Sequence, residues 1–132
     1  YDVEHTFDDI WQTYSDFTLT RVTTTATLTR TNHGLRVGDW ISFQGCGAPF
    51  DGTFAVGAVT DQDVVTFTVT DSGVTSMTNG GRMTFARIFD HDSLAGLTAS
   101  ADGNYAFPPV AVRLNVTSFT AGYVDLIVRQ AG

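Results

Sequence analysis

Residues 33–54 read HGLRVGDWISFQGCGAPFDGTF, and this stretch decides the fold class. Gly34 and Gly38 punctuate a turn before a short apolar strand, and Asp51 and Gly52 lead into a second strand. Glycine adopts the positive φ values that tight turns require, and a turn aspartate can accept hydrogen bonds from nearby backbone amides. The stretch therefore predicts a small β module whose turns are set by its own residues, and it carries no recognisable catalytic group of side chains.

Strand patterns continue on both sides of this stretch. In residues 64–70, the apolar side chains at 65, 67 and 69 alternate with threonines at 66, 68 and 70, which is typical of a half-buried strand. Between Leu19 and Val22 the apolar side chains change from odd to even positions. A strand has a side-chain period of two, so this change requires a turn, bend or bulge. Residues 17–30 are therefore predicted to form two strands, or one strand that changes its partner.

The C-terminal region shows strand alternation twice. Residues 110–119 and 123–129 carry apolar side chains at alternate positions. The three residues between them end in Gly122, which suits the positive φ of a hairpin turn. We expect a terminal β-hairpin that sits in a sheet.

The first sixteen residues differ from the rest of the chain. Residues 6–9 (TFDD) resemble a helix N-cap followed by acidic positions. Four large side chains have the spacing of one helix face, namely Phe7, Ile10, Trp11 and Tyr14. We expect a short N-terminal arm or helix whose face either covers the protein's own sheet or docks on a neighbouring subunit, which makes these four residues the predicted partner-binding set. Such an arm should be removable without loss of the fold.

Along the whole chain, the sequence patterns predict eight or nine short strands, which is typical of an all-β protein. We expect a small β-barrel module combined with a β-sandwich, jelly-roll-like part. Residues 1–21 are predicted to form the arm and first strand, 22–88 the barrel module, and 89–132 the C-terminal hairpin part. The sequence pattern changes at both boundaries. We therefore expect the first and last of these segments to pair in one sandwich.

The charge of the chain limits its partners. The 132 residues carry a net charge of −7, and all seven basic residues are arginine. Nucleic acids and anionic membranes attract basic surfaces, so we expect neither as a partner. The missing lysine reflects either composition drift or arginines kept for fixed, bidentate contacts at subunit interfaces. Cys46 is the single cysteine, which excludes an internal disulfide, and we expect its thiol to be buried.

Few side chains suggest chemistry. The segment 90–92 (DHD) contains metal-ligand types, but neighbouring strand residues point to opposite faces, so a solvated loop is the favoured interpretation. His33 is expected to form hydrogen bonds within its own turn. No serine lies in a nucleophile-elbow glycine pattern, so we expect no catalytic residue, no metal site and no cofactor.

Two surfaces are candidates for contact. The loop 44–52 is expected to be exposed, with Gln44, Pro49 and Phe50 as contact residues. Four aromatic side chains would suit a sugar-stacking platform, although one of them is flanked by core-type residues; they are Trp11, Trp40, Tyr105 and Tyr123.

Two stretches carry a resemblance to known proteins. The pattern HGL at 33–35, GD at 38–39, FDGTF at 50–54 and TFTV at 66–69 resembles a small β-barrel module common in virion proteins of tailed bacteriophages. The stretch 105–132, which begins YAFPP and ends RQAG, is similar to the ends of short phage structural proteins. Together they span a little over half of the chain.

This resemblance implies a non-enzymatic virion structural protein. The leading expectation is a capsid decoration (cement) protein on the capsid surface, which binds the major capsid protein or other virion proteins as a symmetric oligomer, with a trimer favoured. The alternatives are a tail, neck or fibre-associated module, or a carbohydrate-binding host-adhesion module. The resemblance implies no catalytic residues.

Overall fold

The computed structural model describes residues 1–129, and the chain is all-β over that range, without a helix. Its strands form three antiparallel sheets. The strands are β1 (Asp2–Thr6), β2 (Thr18–Val22), β3 (Thr25–Thr29), β4 (Trp40–Gln44), β5 (Gly52–Ala55), β6 (Ala58–Val59), β7 (Val64–Thr68), β8 (Ser76–Thr78), β9 (Arg82–Ala86), β10 (Phe89–Asp90) and β11 (Ala111–Asn115). Within the described part of the chain, no helix is long and apolar enough to span a membrane.

The chain divides into two compact units. Unit 1 combines Tyr1–Phe7 with Phe89–Gly132, and its last three residues, 130–132, lie outside the described residues. Unit 2 comprises Asp8–Ile88. Unit 1 contains the sheet β10-β1-β11, whereas unit 2 contains the sheets β6-β7-β3-β2-β8 and β5-β4-β9.

A tight β2–β3 hairpin explains the change in apolar parity that the sequence shows. Leu19 on β2 pairs with Leu28 on β3, and both are completely buried. The turn between the strands passes through Thr23, which has a φ of 52°. Reversing the chain lets odd positions of one strand and even positions of the next face the same core. The prediction of two strands in residues 17–30 is therefore confirmed.

Unit 2 has one apolar core to which both of its sheets contribute. Three phenylalanines pack at its centre, with the Phe43 ring centroid 5.5 Å from those of Phe17 and Phe67. Burial of aromatic and branched side chains from facing strands is the main stabilising contribution available to a domain of this size. The strand over 64–70 is confirmed as β7, whose Val65 and Phe67 point into this core.

The turn residues of 33–54 behave as the sequence predicts. His33 is buried; its Nδ1 accepts a hydrogen bond from the Leu35 amide at 2.9 Å, and its Nε2 lies 3.1 Å from the carbonyl oxygen of Asp61. The Asp51 carboxylate accepts hydrogen bonds from the amides of Cys46 and Gly47. Each of these side chains fixes a segment of backbone that has no strand partner at that point.

The predicted N-terminal helix is wrong. Residues 2–6 form β1, the central strand of unit 1, which pairs with β10 on one side and β11 on the other. The predicted helical face over 7–14 follows β1, and there residues 10 and 11 form a turn while Tyr14 pairs with Met83 in an isolated bridge. A helix of two turns is marginal by itself, so such contacts outweigh its local signals. The pairing of β1 with β11 does join the first segment of the chain to the C-terminal part.

Two further predictions need correction. The boundary proposed between residues 21 and 22 falls inside β2, and this strand pairs with β3 in unit 2, so the first segment does not end there. The terminal hairpin is also absent from the described residues: β11 covers 111–115, but 123–129 form no strand. In the single chain, β11 takes β1 as its partner, and the segment that should form the second arm of the hairpin remains without one.

Candidate functional site

The four residues predicted as one binding face lie in different environments. Phe7 belongs to unit 1, where its ring makes an edge contact with His5 at 5.0 Å and lies beside Phe89. The other three belong to unit 2. Without a helix, their spacing in the sequence does not bring the four side chains onto one face.

The three unit 2 members of this set also differ from one another in exposure and contacts. Trp11 is 82 % exposed, so it is available for contact. Ile10 lines a small hollow of about 90 Å³ together with Trp40 and Thr84. Tyr14 forms an isolated bridge with Met83 through two backbone hydrogen bonds of 2.8 Å, which fixes its side chain against the core.

The loop 44–52 offers less contact surface than predicted. Pro49 is buried and Phe50 is completely buried in the core of unit 2, so neither is an exposed contact residue. The apolar Phe50 side chain gains more from the core than from water. Asp51 closes the loop by accepting hydrogen bonds from the Cys46 and Gly47 amides. Gln44 is exposed, as expected.

Cys46 is buried in the same loop, which confirms its predicted environment. Burial raises the pKa of its thiol, and the nearby Asp51 carboxylate raises it further. Both effects disfavour the thiolate, which is the reactive form of cysteine. This side chain therefore lacks the environment of a catalytic nucleophile.

The predicted sugar-stacking platform is not assembled within either unit. Trp11 and Trp40 belong to unit 2, whereas Tyr105 and Tyr123 belong to unit 1. Tyr105 packs edge-on against His91 with 4.6 Å between ring centroids, and burial raises the pKa of its hydroxyl. Tyr123 is almost fully exposed.

The DHD segment is organised by a buried histidine. His91 has its Nε2 at 3.1 Å from the Asn104 carbonyl oxygen, and its Nδ1 accepts a hydrogen bond from the Ser93 amide. Both ring nitrogens are therefore used to hold the loop after β10. Among residues 1–129, no group of three or more histidine, cysteine or acidic side chains is placed to hold a metal ion.

A polar network anchors β11 to the centre of unit 1. Glu4, on β1, is buried, and its carboxylate pairs with the Arg113 guanidinium and accepts a hydrogen bond of 2.8 Å from Asn115. A buried carboxylate needs such partners to compensate for lost hydration. No local sequence signal marks this network, because Glu4 lies more than 100 residues from both of its partners.

The outer surface of unit 1 is unusually apolar. Of the fifteen large hydrophobic side chains that are exposed among the described residues, ten belong to this unit. Tyr123 is 88 % exposed and Ile127 is 74 % exposed. The others are Phe7, Phe89, Phe107, Val110, Val116, Phe119, Leu126 and Val128. We call the members from 107 to 128 the C-terminal apolar surface.

Unit 2 carries a polar groove of about 420 Å³ that the sequence did not predict. Three segments meet there: the connection from unit 1 into β2, the turn after β3, and the end of β9. Tyr14 and Phe85 form its aromatic wall, with stacked rings 5.0 Å apart, and the Arg30 guanidinium lies 4.1 Å from the centre of the Tyr14 ring. We call this feature the Tyr14 groove.

One ion pair closes an end of the Tyr14 groove. The Arg87 guanidinium and its backbone amide both donate to the Asp8 carboxylate, with Nε–oxygen distances of 3.0 and 3.1 Å. These hydrogen bonds hold the pKa of Asp8 below its usual value. Asp8 is therefore a structural anion rather than a proton donor.

In the sequence, the sign of such arginine–carboxylate pairs was that all seven basic residues are arginine. Five arginines form ion pairs inside the described chain, including Arg87 with Asp8 and Arg113 with Glu4. The expectation of fixed, bidentate arginine contacts fits the Arg87–Asp8 pair, in which both carboxylate oxygens accept from the guanidinium. All five pairs lie within the units. The subunit-interface part of that expectation stays a prediction.

Comparisons with known proteins give a distant likeness among solved structures. No protein-family model matches the sequence, and no curated protein matches it. Among solved structures, a match to "Phage phi92 endosialidase" covers 58 % of this chain and 13 % of that chain, with 26 % sequence identity and a TM-score of 0.42. The chain therefore spans a small part of that protein's length, and a likeness of this size does not establish a shared function.

Proposed function

We propose that this chain is a non-enzymatic structural module of a tailed-phage virion, which works through protein–protein contact. One observation carries the proposal: the C-terminal apolar surface of unit 1, which the single chain leaves uncovered. Single exposed hydrophobic residues are common, but a concentration of them on one unit is typical of an interface.

Three features make a protein the best occupant of this surface. The net charge of −7 disfavours anionic membranes and nucleic acid. Large side chains such as Phe119 and Tyr123 provide rigid contact area, which favours association. The segment 123–129 also has strand alternation without a strand partner in the single chain. A neighbouring chain could supply that partner by strand addition.

The proposed position in the particle is the capsid surface. There the chain would act as a decoration (cement) protein bound to the major capsid protein, as a symmetric oligomer, with a trimer favoured. Its stabilising effect would come from many modest contacts and mass action rather than from chemistry. The second placement is a tail, neck or fibre-associated module, which uses the same contact surface with a different partner.

The oligomer is tested with purified protein. Light scattering after size-exclusion chromatography should give a mass larger than one chain, and the double variant Tyr123→Ser/Ile127→Ser should shift it towards the monomer. Val22→Ser is the matched control, because Val22 is an exposed apolar residue of unit 2. A monomeric wild-type protein at micromolar concentration, or equal effects of the two variants, would contradict the proposed interface.

The position is tested with particles. Quantitative mass spectrometry of purified virions gives the copy number of this chain relative to the major capsid protein. Hundreds of copies per particle would support capsid decoration. A few tens or fewer would exclude decoration and leave the tail or neck placement, and absence from the purified particle would overturn the virion proposal itself.

A further inference from the structure

We propose that the Tyr14 groove binds a neutral saccharide, and that the Tyr14 hydroxyl and the side-chain amides of Gln12 and Asn32 recognise its hydroxyl groups. This binding would be separate from the assembly contacts of unit 1, since every lining residue belongs to unit 2. The inference rests on which polar groups in the groove are already used and which remain available.

The frame of the groove is fixed by groups whose hydrogen bonds are made. Asp8 and Arg87 form the bidentate pair described above. His33 uses both ring nitrogens in its own turn. The ring of Tyr14 is held by stacking on Phe85 and by the guanidinium of Arg30. A site with a held frame loses less conformational entropy when a ligand binds.

Three polar side-chain groups of the groove are available to a ligand, and two of them belong to the exposed residues Gln12 and Asn32. The Tyr14 hydroxyl and the side-chain amides of Gln12 and Asn32 make no hydrogen bond among the described residues, although the backbone amide of Asn32 is held by Asp63 at 2.8 Å. A hydroxyl and two amides offer donors and acceptors together. Sugar hydroxyls also donate and accept, so this mixture suits them better than it suits a purely anionic or cationic ligand.

The charges in the groove favour a neutral ligand. Asp8 is neutralised by Arg87, and Arg30 pairs with Asp16 at 3.2 Å. Asp9 also lines the groove, and its carboxylate accepts only the Trp11 amide among the described residues. A second anion beside Asp9 would be repelled, whereas a hydroxyl could donate to it.

The size and walls of the groove agree with this class of ligand. A volume of about 420 Å³ falls within the range of small-molecule pockets. The Tyr14 ring stacks on Phe85 and also contacts the Arg30 guanidinium, so less of its face is open to a ligand. The chemistry therefore predicts recognition mainly by hydrogen bonds, with C–H groups of the sugar against the edges of Tyr14 and Phe85.

The test starts from an array of neutral and anionic glycans probed with the whole chain, followed by calorimetry with the best ligand. Tyr14→Phe keeps both ring contacts and removes only the hydroxyl. The loss of one hydrogen bond of about 1.4 kcal/mol weakens binding about tenfold, and Gln12→Ala should have a similar effect. Asn32→Gly should also weaken binding, since glycine tolerates the φ of 51° at this position.

Two controls keep the proposal open to contradiction. Gln44→Ala changes an exposed glutamine outside the groove and should leave the affinity unchanged. Thermal unfolding of each variant checks that a loss of binding does not reflect a loss of fold. Absence of any neutral glycan binder, a preference for anionic glycans, or binding that Tyr14→Phe and Gln12→Ala leave intact would each overturn the proposal.

Discussion

At the scale of single residues, Asp39 links two segments that are far apart in the sequence. Its side chain is 2 % exposed. Its Oδ2 accepts a hydrogen bond from the Arg36 amide at 2.7 Å, and its Oδ1 accepts one from the Ile88 amide at 2.8 Å. One carboxylate thus closes the turn after Gly34 and also fixes the exit of the chain from β9.

We predict that Asp39→Ala destabilises unit 2 strongly. The substitution leaves two backbone amides without their acceptor, and each buried unpaired group costs about 1–3 kcal/mol. Urea unfolding followed by circular dichroism should show a lower midpoint with an unchanged slope. Asp102→Ala is the control, because it removes an aspartate that is exposed in the loop after β10. Equal midpoint shifts for both variants would contradict the role assigned to Asp39.

His5 makes the stability of unit 1 depend on pH. Burial lowers its pKa from the ordinary value of 6.5, and the neighbouring His91 lowers it further, while Asp92 and Asp90 oppose the shift. The unfolded chain then binds a proton more readily than the folded chain, so stability falls as the pH drops through 6.5.

We therefore predict that unit 1 opens more readily at pH 5 than at pH 7.5. Hydrogen exchange of the β1 amides, corrected for the intrinsic pH effect, measures this difference directly. His5→Gln should reduce the pH dependence in this window because glutamine does not titrate. A wild-type opening free energy that is constant between the two pH values would refute the linkage.

At the scale of elements, β1 replaces the detachable arm that the sequence suggested. It is the middle strand of the unit 1 sheet, and Glu4 on β1 holds Arg113 and Asn115 on β11. Deleting residues 1–16 should therefore abolish this sheet instead of leaving the fold intact. Protease protection of 89–129 reports the result, with Trp11→Ala as a control that changes only an exposed side chain. Full protection after the deletion would show that β1 is dispensable.

At this scale, the sequence predicted the elements that depend on nearby residues and missed those that depend on distant ones. Alternation and turn glycines predicted β7, the β2–β3 pair and the turn around His33, because those signals act over a few residues. β1 pairs with a strand more than 100 positions away, and local helix spacing around Phe7 hid it. The Tyr14 groove was not predicted for the same reason, because its walls come from three segments that only the fold brings together.

At the scale of the whole molecule, unit 1 is discontinuous in sequence and unit 2 is continuous. Unit 2 has its own buried core, built from strands that lie between Asp8 and Ile88. We predict that a chain of residues 8–88 folds alone. Dispersed amide signals and a cooperative thermal transition would demonstrate this, and a spectrum typical of a disordered chain would show that unit 2 needs unit 1.

The strand pairing of unit 1 has a consequence for how such a protein can diversify. His5 on β1 pairs with Phe89 on β10, so the chain leaves the small sheet and returns to it at neighbouring positions. The unit 2 residues between these positions contribute no strand to the unit 1 sheet, so the pairing of β1 with β11 uses none of them. Unit 2 can therefore gain or exchange residues while the residues that pair in the unit 1 sheet stay the same.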